Sequence, residues 1–213
     1  PFIENGDNVY MSDINKNYEY CQFIGDIRNI PIKDIEEYLG GSPDIIIASP
    51  PCTTFSIASC SHHWHPPTKE GLRIPKSDNA IIGLELLNKT LELVEYFKPK
   101  YWIIENPRGL MRKMNCLEGI NRNTVWYCQY GDDRAKPTDL WGNWPKSFIT
   151  RKECKNHTFE NGVKTSTHCN HVTARRGAKT GTQGLKNNAL RSIIPKELCQ
   201  DWFEACKREL NEY

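Results

Sequence analysis

Apolar and polar positions fall along this chain in blocks that change period. Two short apolar runs come first, 8–14 ("NVYMSDI") and 21–27 ("CQFIGDI"), each with an acid near its end. Both read as strands. The run 44–49 ("DIIIAS") is continuous and β-branched, which predicts a strand buried in a parallel sheet. Between the second and third runs, "IPIKDIEEYLG" reads as a short helix closed by Gly40-Gly41. After Ser77-Asp78, a natural N-cap, apolar residues recur at Ile81, Ile82, Leu84, Leu87, Leu91, Val94 and Phe97, and Pro99 follows. That is helix spacing. Two more strands are predicted at 101–107 ("YWIIENP") and 124–130 ("TVWYCQY"). A last helix starts at Pro195, with Leu198, Trp202, Phe203, Cys206 and Leu210 on one side. Strands alternating with helices predict an α/β fold with a mostly parallel sheet. The segment from about 143 to 188 has no clear period and is rich in Lys, Arg, His, Thr, Asn and Gly. It reads as a small irregular lobe.

Composition changes this picture in two respects. With 213 residues, 38% of them hydrophobic, the chain can bury one full core. No apolar run approaches the roughly 20 residues that span a bilayer. Nine cysteines, an odd number without a tight framework, favour free thiols in a reducing compartment, so a cytoplasmic protein is expected. The net charge of +2 hides an asymmetry. Between Lys146 and Arg191 stand ten basic residues and only Glu153 and Glu160, which leaves 18 basic and 24 acidic residues for the rest of the chain. A basic lobe on an acidic body points to a polyanion, nucleic acid first, against the plainer reading of a solvated surface.

The candidate chemistry lies at the strand ends. Ligands of open α/β sheets bind beyond the carboxyl ends of the strands. Asp13 follows the first run, Asp26 the second, Cys52 the third and Glu105 the fourth. Singly, each has a plainer reading: either aspartate as a helix N-cap, Cys52 as core packing, Glu105 as an ion-pair partner. Together they argue for one site.

"SPPCTTFS" (49–56), then "IIENPRG" (103–109), then "CQYGDDR" (128–134) resemble the C5-cytosine DNA methyltransferase family, and the chain is similar in outline to small phage-type members. The resemblance covers about 8–141. It implies a Rossmann-like, S-adenosylmethionine-dependent methyltransferase fold, double-stranded DNA as partner, no membrane, and the cytoplasm of a bacterial or phage-infected cell. Cys52 is then the nucleophile that adds to C6 of cytosine, and Glu105 the carboxyl group at N3. Asn106 and Arg108 are expected to hold that loop. Gln129 and Arg134 match the later motif that positions base and thiol, although Gly131 stands where the family has an arginine. Asp13 with Ile14 is assigned to the cofactor ribose, Asp26 with Ile27 to its adenine, and Pro50 to the cofactor side of the nucleophile loop. The loop 56–71 is expected to close on an extruded base, with Ser56, His62, His63 and Arg108 on DNA. Cys60, His62, His63 and His65 admit a metal reading, but a DNA-contacting loop is preferred. In the basic lobe, Arg175, Arg176, Lys179, Thr182 and Gln183 are candidates for target recognition. Cys154, His157, Cys169 and His171 form a candidate structural zinc set, against a reading as DNA-contacting loop residues.

The expected organisation is a catalytic domain over 1–142, a target-recognition lobe over 143–190, and a helix over 191–213 packing back on the catalytic domain. The family's opening strand and Phe-x-Gly-x-Gly loop are not found ahead of "PFIENGDNVY", and its last asparagine is not found near "RSIIPKEL". A truncated chain is the favoured explanation. The others are a separate polypeptide that supplies the strand, or a DNA-binding protein without catalysis. The protein is otherwise expected to be a monomer. An amino-group methyltransferase, acting on cytosine N4 or adenine N6, is the competing enzyme class. It shares the Pro-Pro step but has an aromatic residue where this chain has Cys52.

Overall fold

The computed structural model describes residues 1–18, 21–154, 159–160, 163–164 and 188–211. These form two compact units, Pro1–Asn121 with Trp141–Trp144, and Arg122–Leu140 with Pro145–Tyr213.

In the first unit, β1 (Ser12–Asp13) and β2 (Phe23–Ile24) pair in parallel, far shorter than the apolar runs that contain them. Helix α1 (Ile32–Leu39) follows and stops at Gly40, whose N–H returns to the Glu36 and Glu37 carbonyls. Next, β3 (Ile45–Ala48) pairs in parallel with β4 (Tyr101–Pro107), with Ile45 opposite Tyr101 and Ala48 opposite Ile104. Between them lie the short helix α2 (Cys60–His63) and the long helix α3 (Asp78–Phe97).

Helix α3 begins and ends where the sequence predicts. The Ser77 side chain accepts from Ala80 N, and Lys98, just before Pro99, closes the last turn. Its buried face differs from the expected one. Ala80, Gly83, Leu87 and Thr90 are buried, while Ile81 and Ile82 are exposed. Gly83 brings the helix close to Phe55, since a Cβ there would lie 3.4 Å from its ring, so the packed stripe takes in Ala80 and Gly83 beside the expected Leu84, Leu87, Leu91 and Phe97. Phe55, Trp64, Leu87, Ile104, Met111 and Trp141 belong to the main core cluster, and Ile30, Ile35 and Phe97 form a second one. β3 was expected to be buried on both faces, yet Ile47 is 50% exposed. Among the described residues β3 has a strand neighbour on one side only.

The second unit holds β5 (Arg122–Trp126) and the first half of β6 (Pro137–Asn143), whose last residues belong to the first unit. The strand predicted over 124–130 therefore ends early: 127–130 is a 3₁₀ turn. β6 was not predicted at all. The sheet is partly antiparallel, which corrects the expectation of a mostly parallel one. Within the first unit, Asn143 Nδ2 donates to the Lys100 carbonyl at 2.8 Å. A Cβ on Gly142 would lie only 2.1 Å from the Trp102 carbonyl oxygen, so the end of β6 sits beside the start of β4. Within the second unit, Tyr127 N donates to the Ala135 carbonyl, and Thr124 Oγ1 to Asp139 Oδ1 at 2.7 Å. That sets the end of β5 beside the start of β6.

β7 (Phe159–Glu160) and β8 (Val163–Lys164) form a small antiparallel pair, followed by α4 (Asn188–Ser192) and α5 (Lys196–Asn211). Leu198, Trp202, Ala205 and Cys206 form the buried face of α5, and the Trp202 ring meets Phe148 edge to face at 5.2 Å. Among the described residues no helix is long and apolar enough to cross a membrane.

Candidate active site

The parallel register sets Ala48 opposite Ile104. Past that pair β3 ends and runs into Ser49-Pro50-Pro51-Cys52, while β4 carries Glu105, Asn106 and Pro107 as its last residues. This is the edge where parallel sheets take ligands. Cys52 is exposed, while Glu105 and Asn106 are buried at 6% and 1% exposure. The Asn106 side chain joins the two segments: its Nδ2 donates to the Pro50 carbonyl at 2.7 Å. The sequence reading of Asn106 as a holder of the loop is met, and Arg108 is exposed beyond it.

Two adjacent prolines have no N–H to offer, so the loop must be fixed through its carbonyls. Every carbonyl from Cys52 to Ser56 is taken. Cys52 O accepts from Phe55 N at 3.1 Å, Thr53 O from Ser59 Oγ at 2.6 Å, and Thr54 O from Trp64 Nε1 at 2.9 Å. Phe55 O accepts from Leu110 N at 2.7 Å, and Ser56 O from Cys60 N at 2.8 Å. Gly109 makes the Leu110 contact possible, because a Cβ there would lie 2.4 Å from the Phe55 oxygen. Ser59 and Trp64 hold this loop and Gly109 lets it approach β4, contacts that sequence reasoning missed. The available signal was Trp64, a large aromatic in a loop otherwise polar and rich in His.

Asp13 and Asp26 close the parallel pair β1–β2 at its carboxyl end, in line with the strand-end expectation. Asp13 Oδ1 accepts from Asn15 N at 2.7 Å, and Ile14 beside it is 78% exposed. Asp26 caps the turn Ile27–Asn29, accepting from Arg28 N at 3.0 Å. Its carboxylate also receives the Arg28 guanidinium, whose other end reaches Glu85 on α3. Hydrogen bonds from Arg28 hold the Asp26 carboxyl below the usual carboxylate range. The N-cap reading of Asp26 is thus met, and Arg28 is the partner the sequence did not reveal.

In the loop after Cys52, Ser56 and His62 are exposed, whereas the His63 ring lies 2.7 Å from Ser77 Oγ through Nδ1. In the second unit, Gln129 sits in the 3₁₀ turn, and its carbonyl accepts from Arg151 Nη1 at 2.8 Å. Arg134 is 6% exposed. Its guanidinium grips Asp132 through Nε and Nη2 and donates to the Leu190 and Ile193 carbonyls. Burial works against the Asp132 charge, but the Arg134 hydrogen bonds outweigh it and hold that carboxyl below its ordinary range.

The zinc reading finds no support. Cys154 is buried in an apolar cluster with Trp126, Cys128 and Ala135. His157, Cys169 and His171 lie outside the described residues, as do Arg175, Arg176, Lys179, Thr182 and Gln183. Among the described residues no group of three or more His, Cys, Asp or Glu could hold a metal ion.

Known proteins resemble this chain over much of its length. Residues 8–131 match the C-5 cytosine-specific DNA methylase family. A protein of Frog virus 3 (isolate Goorha) named "Probable DNA (cytosine-5)-methyltransferase" is 31% identical over 170 residues, which are 76% of this chain and 75% of that one. "Type II methyltransferase M.SacI" of Streptomyces achromogenes is 31% identical over 108 residues, 48% of this chain and 25% of that protein.

Proposed function

The chain belongs to the C-5 cytosine-specific DNA methylase family, and from that membership we propose that it is a DNA (cytosine-5)-methyltransferase working through Cys52. One observation carries the assignment of residues: the register Ala48–Ile104 and the Asn106–Pro50 bond gather the Cys52 loop and the Glu105 segment at one sheet edge. The thiolate of Cys52 adds to C6 of a cytosine drawn out of the duplex, and C5 becomes enamine-like and nucleophilic. The Glu105 carboxyl group donates to N3 as the adduct forms, which stabilises the charge that develops there. Once C5 is substituted, a solvent base takes its proton, the C5–C6 double bond re-forms, Cys52 leaves as the thiolate and the N3 proton returns to Glu105.

S-adenosylmethionine supplies the electrophilic methyl group. The residues present fit it: two acids at the ends of adjacent parallel strands suit its hydroxyl and amino donors, and exposed Ile14 offers an apolar surface beside Asp13. Asp13 and Ile14 would hold the ribose side, Asp26 and Ile27 the adenine, with Pro50 lining the approach, in a Rossmann-like arrangement. Asp26 does so already oriented by Arg28. Arg134 and Gln129 act by positioning, because each guanidinium nitrogen of Arg134 is engaged within its own unit. Ser56, His62, His63 and Arg108 are assigned to DNA, and the basic segment 143–190 to target recognition.

A duplex carrying 5-fluorocytosine tests the reading, because the fluorine cannot leave as a proton does. The intact protein with S-adenosylmethionine is expected to form an irreversible adduct at Cys52, mapped by mass spectrometry. DNA binding without an adduct at any target sequence would refute the C5 mechanism, and methylation by Cys52→Ser would point to amino-group chemistry instead.

A further inference from the structure

We propose that Trp64, helped by Ser59, is a positioning residue for the Cys52 nucleophile, a role that rests on the methyltransferase reading above. The chain that leaves Cys52 is tied at its start. It turns through α2 and comes back under its own start, where the Trp64 indole N–H donates to the Thr54 carbonyl at 2.9 Å. Trp64 is 3% exposed, and its ring packs on Phe55 at 5.4 Å. Ser59 Oγ donates to the neighbouring Thr53 carbonyl at 2.6 Å. Both donors therefore act on the carbonyls of the two residues that directly follow Cys52.

Trp64 is itself anchored. Its N–H returns to the Cys60 carbonyl at 2.8 Å, and a β-bridge pairs it with Pro75. On either side of that bridge, His65 N donates to Ile74 O at 3.0 Å and Lys76 N to His63 O at 2.7 Å. His63 Nδ1 meets Ser77 Oγ, which caps α3. The loop is thus a closed ring, bolted to the start of a long helix, with Trp64 as its inward contact. Asn106 holds the Pro50 carbonyl before the thiol. Trp64 and Ser59 hold the carbonyls after it. Cys52 stands between two independent supports, one from β4 and one from its own loop.

A sulfur that must meet C6 within bonding geometry gains rate from being held there, and small displacements are costly. Losing the indole donor leaves the buried Thr54 carbonyl without its partner and frees the following peptide to rotate.

The test compares wild type, Trp64→Phe and Ser59→Ala as full chains. Phenylalanine keeps a ring against Phe55 and removes the donor. Ser59→Ala is near the surface and keeps the proposal testable if the first variant folds poorly. Two readouts are taken: adduct formation with 5-fluorocytosine duplex at saturating DNA and S-adenosylmethionine, and equilibrium DNA binding. The expected result is an adduct rate lower by about tenfold in Trp64→Phe, the order of one lost buried hydrogen bond, and by a smaller factor in Ser59→Ala. DNA affinity is expected to stay at the wild-type value. A purely structural role would lower melting temperature and binding together, without this split. Equal adduct rates in wild type and both variants overturn the role of Trp64 and Ser59 while leaving Cys52 as nucleophile. No adduct with wild type overturns both.

Discussion

A single methyl group placed on Gly109 probes how closely the exit of β4 rests on the nucleophile loop. An alanine Cβ there would stand 2.4 Å from the Phe55 carbonyl oxygen and 3.3 Å from its carbon. The Gly109 backbone is extended, with φ at −166°, so the substitution acts by crowding alone. The obstacle is backbone and cannot turn aside as the tip of a side chain could. Phe55 is fully buried, and its oxygen is already committed to Leu110 N at 2.7 Å. The two segments must separate by roughly 1 Å to reach ordinary contact. Overpacking of this kind costs about 1–3 kcal/mol. For a chain of this size each kcal/mol lowers the melting temperature by about 2–4 °C, so a fall of roughly 2–12 °C is expected. Catalysis is expected to suffer more than stability. Phe55 lies three residues from Cys52, and a misplacement of about 1 Å at a reacting centre can cost about a hundredfold in rate. Thermal unfolding by circular dichroism gives the first quantity, and single-turnover methylation the second. A Gly109→Ala protein with wild-type melting and a rate within about twofold of wild type, under 0.5 kcal/mol of barrier, would refute the close approach and with it this account of how the loop is held.

Other expectations follow from the same geometry. Glu105→Gln removes the acid proposed to act at N3 and is expected to lower the methylation rate by about 10²–10⁴, with alkylation of the Cys52 thiol by iodoacetamide unchanged. Asp132→Ala leaves Arg134 buried without its carboxylate and is expected to cost about 3 kcal/mol or more in urea unfolding at neutral pH. Because the folded Asp132 carboxyl titrates below its unfolded value, its stabilisation is present above pH of about 4 and lost as pH falls through the folded value. The gap between wild type and Asp132→Ala should therefore shrink on acidification, and a constant gap would count against the ion pair. Thiol mapping at pH 8 should label Cys52, which is exposed, and spare Cys206 in the native protein. Burial, with Glu209 nearby, pushes the Cys206 thiol up to about 12. Labelling of native Cys206 would contradict the packing of α5.

Long, regular segments were legible in the chain. Ser77 and Pro99 bound α3 correctly, and Pro195 announces α5, because caps and breakers act locally. The strand ends carrying Asp13, Asp26, Cys52 and Glu105 were legible for a similar reason: short apolar runs stop at polar residues. Elements decided by tertiary contact were not. Tyr127–Tyr130 looks like the continuation of a strand, yet it turns. Pro137–Asn143 contains Pro, Asp, Gly and Asn, which depress any strand reading, yet its Asp139 is satisfied by Thr124 and its Gly142 fits against Trp102. In the site, Asn106 could be anticipated because it lies beside Glu105. Trp64 stood out as a large ring in a polar loop, but its partner could not be read, since the bond goes to a backbone carbonyl, and a carbonyl leaves no mark in the sequence.

The brevity of β1 and β2 has a consequence for affinity. They share only two register pairs, Ser12 with Phe23 and Asp13 with Ile24. A ribbon that short has no stability of its own. It is sustained by side chains, with Phe23 and Ile27 resting on the Ile30, Ile35 and Phe97 cluster. Asp13 and Asp26 thus stand on a part of the first unit that can open at low free energy while β3 and β4 stay closed. A small molecule that needs both acids binds only the closed fraction, so its apparent dissociation constant is the intrinsic one divided by that fraction. A substitution at Phe97, within the supporting cluster, is therefore expected to weaken the binding of such a molecule without altering either acid.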